Sequence, residues 1–63
     1  MDKYSLLIHD VNENQYHTLI NDNNYDKVMN RAEEITKVLE IVDTKNDYNI
    51  IVKDVYDVVY YRG

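Results

Sequence analysis

Hydrophobic residues recur with two different periods along this chain, and the change of period divides it into segments. Residues 4–11 (YSLLIHDV) and 16–20 (YHTLI) are rich in leucine, isoleucine, valine and tyrosine, which are common in strands. Residues 12–15 (NENQ) separate the two segments and have the length of a hairpin connection. The pattern predicts two β-strands joined as a hairpin.

The middle of the chain follows a helical period. Apolar residues there recur at intervals of four and three, which places them on one stripe of an α-helix: Val28, Ala32, Ile35, Leu39 and Val42, flanked by Tyr25 and Met29. No glycine or proline interrupts the segment, and polar residues cover the opposite side. We expect Asn23 to cap the first turn, with Asp26 near the positive end of the helix dipole.

Strand-forming residues return after the helix, in residues 48–52 (YNIIV) and 56–61 (YDVVYY). A single strand of about fourteen residues is long for so small a domain. We therefore favour a hairpin that turns near residues 53–55 over one continuous strand.

The predicted order of elements is ββαββ in a single compact domain, residues 1–63, of the α+β class. One helix would pack on one face of a four-stranded, mostly antiparallel sheet. This order and length resemble the β-grasp architecture of the small immunoglobulin-binding domains of bacterial surface proteins. The resemblance implies that the first and last strands pair in parallel at the centre, which would make residues 56–61 a central strand.

One helix can cover only one face of such a sheet, so the alternation of side chains along each strand predicts which residues stay uncovered. The face under the helix is expected to hold Tyr4, Leu6, Ile8, Ile50, Val52, Val59 and Tyr61. The open face, which is the side away from the helix, is expected to show Leu7, Val11, Ile51, Val58 and Tyr60. On this reasoning the adjacent Tyr60 and Tyr61 cannot both lie on the helix side. Large apolar groups on an uncovered sheet face indicate a protein interface.

Charge separates the classes of partner. Twelve acidic and seven basic residues give a net charge of −5, and the basic residues are scattered along the chain. Direct binding of nucleic acid is therefore disfavoured, whereas a basic protein, such as a nucleic-acid-binding protein, would be attracted. A second candidate protein-binding surface is the acidic side of the helix, formed by Asp26, Glu33, Glu34 and Glu40.

Residues suited to catalysis or to metal binding are few. The chain has no cysteine, one glycine, and Ser5 as its single serine, so we predict no enzyme and no cofactor. If Val11 pairs with Tyr16, the two histidines His9 and His17 point to opposite faces of the sheet. If Val11 pairs with Gln15, they lie directly opposite each other. Zinc needs three or four ligands, so no metal site is predicted in either register.

These observations favour a small, acidic, non-enzymatic protein-binding module. Its asparagine-, aspartate- and tyrosine-rich composition resembles that of phage and mobile-element accessory proteins that block a host protein, including anti-CRISPR proteins and DNA mimics. The alternative is a homodimer or small subunit that associates through the open face. The apolar runs are too short for a membrane span or a signal peptide, and cysteine is absent, so a cytoplasmic location without membrane attachment is expected.

Overall fold

The computed structural model describes residues 2–44 and 46–63. Four strands and one helix follow one another there in the predicted ββαββ order: β1 Tyr4–Asp10, β2 Gln15–Asp22, α1 Tyr25–Ile41, β3 Tyr48–Asp54 and β4 Val59–Arg62. The helix packs on one face of a four-stranded antiparallel sheet, which confirms the predicted fold class.

The order of the strands differs from the β-grasp arrangement. The sheet runs β2-β1-β3-β4, and all three neighbouring pairs are antiparallel. The partner of β1 at the centre is therefore β3, and no parallel pair forms. The expectation that residues 56–61 make a central strand is wrong, because β4 is a four-residue edge strand.

The core lies between α1 and the two central strands. Five residues are fully buried there: Leu6, Val28, Ala32, Ile50 and Val52. Partly buried groups surround them, and every residue predicted for the covered face except Val59 belongs to this core or packs against it. Burying each large aliphatic side chain contributes roughly 1.5–3 kcal/mol, which makes these two strands and the helix the stable centre of the domain.

The helix begins one residue later than the sequence suggested. Asn24 is the N-cap, and its side-chain oxygen accepts a hydrogen bond from the backbone N–H of Lys27. Asn23, the predicted cap, instead accepts a hydrogen bond from the backbone N–H of Lys3 at 2.8 Å. At the other end, the helical stripe stops short of Val42, which is the C-cap and is 56% exposed. In the described part of the chain, no helix is both long and apolar enough to cross a membrane.

The β1–β2 hairpin adopts neither of the two predicted registers. Asp10 lies opposite Gln15, so the connecting loop is residues 11–14, and Val11 belongs to the loop rather than to a strand pair. Asn14 takes a left-handed backbone conformation with φ of 52°. Asparagine tolerates this conformation well, and it allows the chain to reverse without a glycine.

The register separates the two histidines. His9 lies opposite Tyr16, and His17 lies opposite Ile8. Side chains that oppose each other share a face of the sheet, and adjacent positions alternate. His9 is therefore on the open face and His17 on the helix side, so the two cannot share a ligand.

A β-bulge in β4 changes the side to which its tyrosines point. Val52 lies opposite Tyr61, but Lys53 lies opposite Val59, so Tyr60 is an extra residue with no partner across the strand pair. In a bulge, two residues oppose one and the alternation is interrupted. Both Tyr60 and Tyr61 consequently lie on the helix side, which corrects the prediction that they could not.

Further hydrogen bonds attach strand β4 and the residue that follows it to β3 and to the helix. The backbone groups of Gly63 and Ile50 exchange two hydrogen bonds of 2.8 and 2.9 Å. The hydroxyl of Tyr61 donates to Thr36 on the helix, and the Thr36 hydroxyl donates to the carbonyl of Ala32. These bonds hold the edge strand against both β3 and α1.

Candidate protein-binding surface

Leu7 and Ile51 occupy the centre of the open face, as the alternation of the strands predicted. They lie directly opposite each other on β1 and β3. Surrounding side chains reduce their exposed fractions to 8% and 6%. The pair forms the floor of a shallow groove, here named the sheet groove, whose other lining residues are Tyr16, Lys53, Asp57, Val59 and Arg62.

The rim of the sheet groove is polar and carries one unpaired cation. Lys53 donates to Asp57 at 2.9 Å, so its charge is neutralised locally. Arg62 lies on the same face as Ile51 because the two residues oppose each other across β3 and β4. With the rest of the described chain, Arg62 forms no ion pair and its guanidinium no hydrogen bond. A guanidinium next to an apolar floor suits a ligand that combines an apolar group with a carboxylate.

A stacked pair of rings borders the groove on the side of the β1–β2 loop. The rings of His9 and Tyr16 lie parallel, with centroids 4.2 Å apart and an interplanar angle of 7°. A ring nitrogen of His9 is 3.2 Å from the side-chain oxygen of Asn14 in the loop. The stack fixes the Tyr16 ring, which remains 58% exposed and therefore available for contact.

The other three residues predicted for the open face lie elsewhere. Val11 is in the β1–β2 loop and Val58 is in the β3–β4 loop, where they are 42% and 51% exposed. Tyr60 points to the helix side because of the bulge. The open-face position opposite Lys53 is occupied by Val59, which had been predicted for the core.

Tyr60 belongs to a cluster of three tyrosines where α1 begins. The rings of Tyr4, Tyr25 and Tyr60 contact one another edge to face, with centroid separations of 5.4, 5.6 and 5.7 Å. This is the favoured geometry for aromatic pairs. The cluster joins the start of β1, the start of α1 and the edge strand β4, so its first role is in holding these elements together.

Beneath this cluster, Asp54 is the one buried charged residue of the described chain, with 7% of its surface exposed. One carboxylate oxygen accepts from the backbone N–H groups of Tyr56 and Val58, at 2.8 and 3.0 Å. The other oxygen accepts from the Tyr60 hydroxyl at 2.8 Å. Three donors therefore converge on one carboxylate, which fixes the shape of the β3–β4 loop.

The same hydrogen bonds set the ionisation of both partners. Burial by itself would raise the pKa of the Asp54 carboxyl group. The hydrogen bonds from Tyr60, Val58 and Tyr56, together with the attraction of Lys3, outweigh burial and hold that pKa below its ordinary value of 3.8. The hydrogen bond to the Asp54 carboxylate, followed by burial, raises the pKa of Tyr60 above 10.0. The pair is thus an ionised carboxylate and a protonated phenol at neutral pH.

The β3–β4 loop presents apolar side chains to solvent. Residues 55–58, here named the hairpin tip, expose Val55, Tyr56 and Val58 to 49%, 81% and 51%. Tyr56 had been predicted to lie in a strand, but it lies in the loop between β3 and β4. The feature of the sequence that could have indicated this loop is Asp54. An aspartate side chain can close a loop that lacks glycine by accepting hydrogen bonds from backbone N–H groups two to four residues ahead of it.

The acidic side of the helix is broken by positive charges. Asp26, Glu33 and Glu40 are spaced by seven residues and fall on one exposed strip, but Lys37 lies within that strip. Glu34 lies beside the strip and forms an ion pair with Arg31 at 3.0 Å. The four predicted acidic residues therefore do not form an uninterrupted row of carboxylates.

A further ion pair lies where the helix begins. Lys27 contacts Asp22 at 3.0 Å. The backbone N–H of Asn24 and then Lys27 hold the pKa of the Asp22 carboxyl group below 3.8. Lys27 is thus paired with Asp22 at the end of β2.

Within residues 2–44 and 46–63, no three histidine, cysteine, aspartate or glutamate side chains converge as a set able to hold a metal ion. The carboxylates lie mainly in loops, in ion pairs and on the exposed side of α1.

Comparison with known proteins gives no relative from which a role could be transferred: no protein-family model, no curated protein and no solved structure matches the chain.

Proposed function

We propose that the protein is a non-enzymatic binding module that occupies a surface of another protein through its open face. The observation that carries this proposal is the sheet groove, in which the apolar pair Leu7 and Ile51 lies beside the unpaired guanidinium of Arg62. An apolar centre surrounded by polar groups is the usual arrangement of a protein interface. Blocking a host protein, as phage-type inhibitors do, requires only such occupation and no catalytic group.

The charges define the partner. The net charge of −5 accelerates the approach of a basic protein, such as one that binds nucleic acid. At the groove itself, Arg62 selects a carboxylate, and the floor selects an apolar side chain next to it. The partner that we propose is therefore basic overall and contributes an acidic–apolar segment to the contact.

The open face supports this proposal better than the acidic side of the helix does. Arg31 holds Glu34 in an ion pair, and Lys37 interrupts the remaining strip. A DNA mimic needs closely spaced, unneutralised negative charges to reproduce a row of phosphates. We therefore assign binding to the open face and leave the helix facing solvent.

The alternative function is a homodimer that forms through the same face. Four strands at about 4.8 Å spacing and five residues at about 3.4 Å rise give a face of roughly 19 by 17 Å. Two such faces would bury on the order of 650 Å² in total, below the roughly 1,200 Å² typical of stable interfaces. This size favours a partner that reaches beyond the face to the hairpin tip over a second copy on the face alone.

Site-specific photo-cross-linking in the cells that naturally carry the chain tests the proposal. A cross-linking phenylalanine derivative is introduced in place of Tyr16 on the open face, or in place of Val38, which is 55% exposed on the helix. We expect one protein adduct from position 16 and none from position 38. The adduct is identified by mass spectrometry, and the partner is purified for calorimetry.

Two charge reversals then compare the surfaces directly. Arg62→Glu should weaken binding at least tenfold, because it replaces an attraction by a repulsion within the contact. Lys37→Glu makes the same change of charge on the helix and should leave the affinity within about twofold. Adducts from position 38 alone, or a larger loss with Lys37→Glu, would contradict binding by the open face. A dimer of the chain as the sole adduct would support the alternative function instead.

A further inference from the structure

The hairpin tip has the properties of an anchor that enters a pocket on another protein. We propose that Tyr56 inserts into a concave apolar pocket of the partner, whose rim carries a basic side chain. This inference rests on the proposed function, because it places the anchor in the same interface as the sheet groove.

The composition of the tip has no explanation within the chain. Three of its four residues are large and apolar, and Tyr56 is 81% exposed. Loops that only reverse the chain use glycine, asparagine, aspartate or serine. Tyrosine, in contrast, is one of the side chains that contribute most of the binding energy in protein interfaces.

The tip is also held in one conformation before any partner binds. The Asp54 carboxylate accepts from the N–H groups of Tyr56 and Val58. The Asp54 backbone accepts from Asp57 and donates to Val58, both at 3.1 Å. Asp57, with φ of 64°, supplies the left-handed residue that the loop requires. A loop fixed in this way loses little conformational entropy on binding, so more of the contact energy becomes affinity.

The position and charge of the tip specify the partner. Asp57 lines the sheet groove, so one partner can contact the groove and the tip together. In the Lys53–Asp57 ion pair, Lys53 contacts one carboxylate oxygen, and the Asp57 side chain is 80% exposed against 36% for Lys53. The exposed carboxylate can therefore accept from a second cation on a partner. A protruding ring beside an outward carboxylate fits a concave apolar pocket with a basic rim.

The test extends the cross-linking experiment to the tip. The derivative placed at position 56 should give the same adduct as position 16, attached to residues that line a pocket of the partner. With the purified partner, Tyr56→Ala should weaken binding tenfold or more, whereas Val38→Ala should leave the affinity unchanged. Tyr56 contacts solvent over most of its surface, so we expect Tyr56→Ala to melt at the same temperature as the wild type.

The outcomes separate the two proposals. An adduct from position 16 without one from position 56, or a loss below tenfold with Tyr56→Ala, would overturn the anchor and leave binding by the open face standing. Adducts from neither position would overturn both. If the protein captured at position 56 is a second copy of the chain, the tip serves self-association and the proposed partner is wrong.

Discussion

Replacing Ile50 with alanine should remove a large part of the unfolding free energy of this domain and lower its urea midpoint clearly. Ile50 is fully buried in the centre of the sheet, where it contributes to the cluster between β1, β3 and α1. Truncating such a side chain costs about 2–5 kcal/mol. A domain of 63 residues has a total unfolding free energy of only roughly 3–9 kcal/mol.

The matched control is Ile41→Ala, which makes the same chemical change at a position that is 82% exposed. Its urea midpoint should stay close to that of the wild type, since alanine also has the higher helix propensity. Ile50→Val should lie between the two, with a loss of about 1 kcal/mol in the free energy of unfolding. Urea titrations followed by circular dichroism at 222 nm measure all three variants. Equal midpoints for Ile50→Ala and Ile41→Ala would show that the core does not lie where the structure places it.

The second large effect is expected at Asp54, and it should depend on pH. Its pKa in the folded state lies below 3.8, so the folded protein binds fewer protons than the unfolded chain near that pH. Stability from the Asp54 charge is therefore complete above the unfolded pKa of about 4 and is lost as pH falls through the folded pKa. Asp54→Asn should be clearly less stable than the wild type at pH 7, and the difference should shrink toward pH 2.

Asp2→Asn is the control, because it makes the same change at an exposed aspartate outside the strands. Its stability should follow the wild type across the whole range of pH. Thermal melts at pH 7, 4 and 2.5 give the comparison. A difference in melting temperature between Asp54→Asn and the wild type that stays constant from pH 7 to 2.5 would mean that the carboxylate charge does not hold the loop.

Tyr60→Phe should also lower the melting temperature at neutral pH, since it removes one of the hydrogen-bond donors to Asp54.

Much of the fold follows from local sequence patterns. The helical period from Val28 to Leu39 is strong enough to identify α1, and the alternation along β1 and β3 correctly separates Leu6 and Val52 from Leu7 and Ile51. These assignments succeed because each depends on a run of residues within one regular element.

The errors arise where regularity is interrupted or where distant segments compete. The alternation of side chains along a strand predicts which face of the sheet each one lies on only until a bulge inserts a residue. The bulge at Tyr60 moves Tyr60 to the helix side and Val59 to the open face. The centre of the sheet can be taken by β3 or β4, since both are rich in valine, isoleucine or tyrosine. The choice depends on packing across the whole sheet, which no local pattern reports.

The candidate site was predicted only in part, for the same reason. Leu7 and Ile51 could be found by alternation, but Arg62 and Val59 reach the groove only through the pairing of β4. Tyr56 was hidden because a strand-like composition occurs there in a loop. Its position depends on the hydrogen bonds that the Asp54 side chain makes with the backbone ahead of it.

We propose that the protein recognises a partner through the sheet groove and the hairpin tip. The most direct test of this proposal is an NMR titration of the isotopically labelled protein with the partner purified from the cross-linking experiment. We expect the largest changes in backbone amide shifts at Ile51, Tyr56, Val59 and Arg62, with little change at Glu33 and Lys37 on the helix. Changes concentrated on the helix, with the groove and tip unaffected, would contradict the claim.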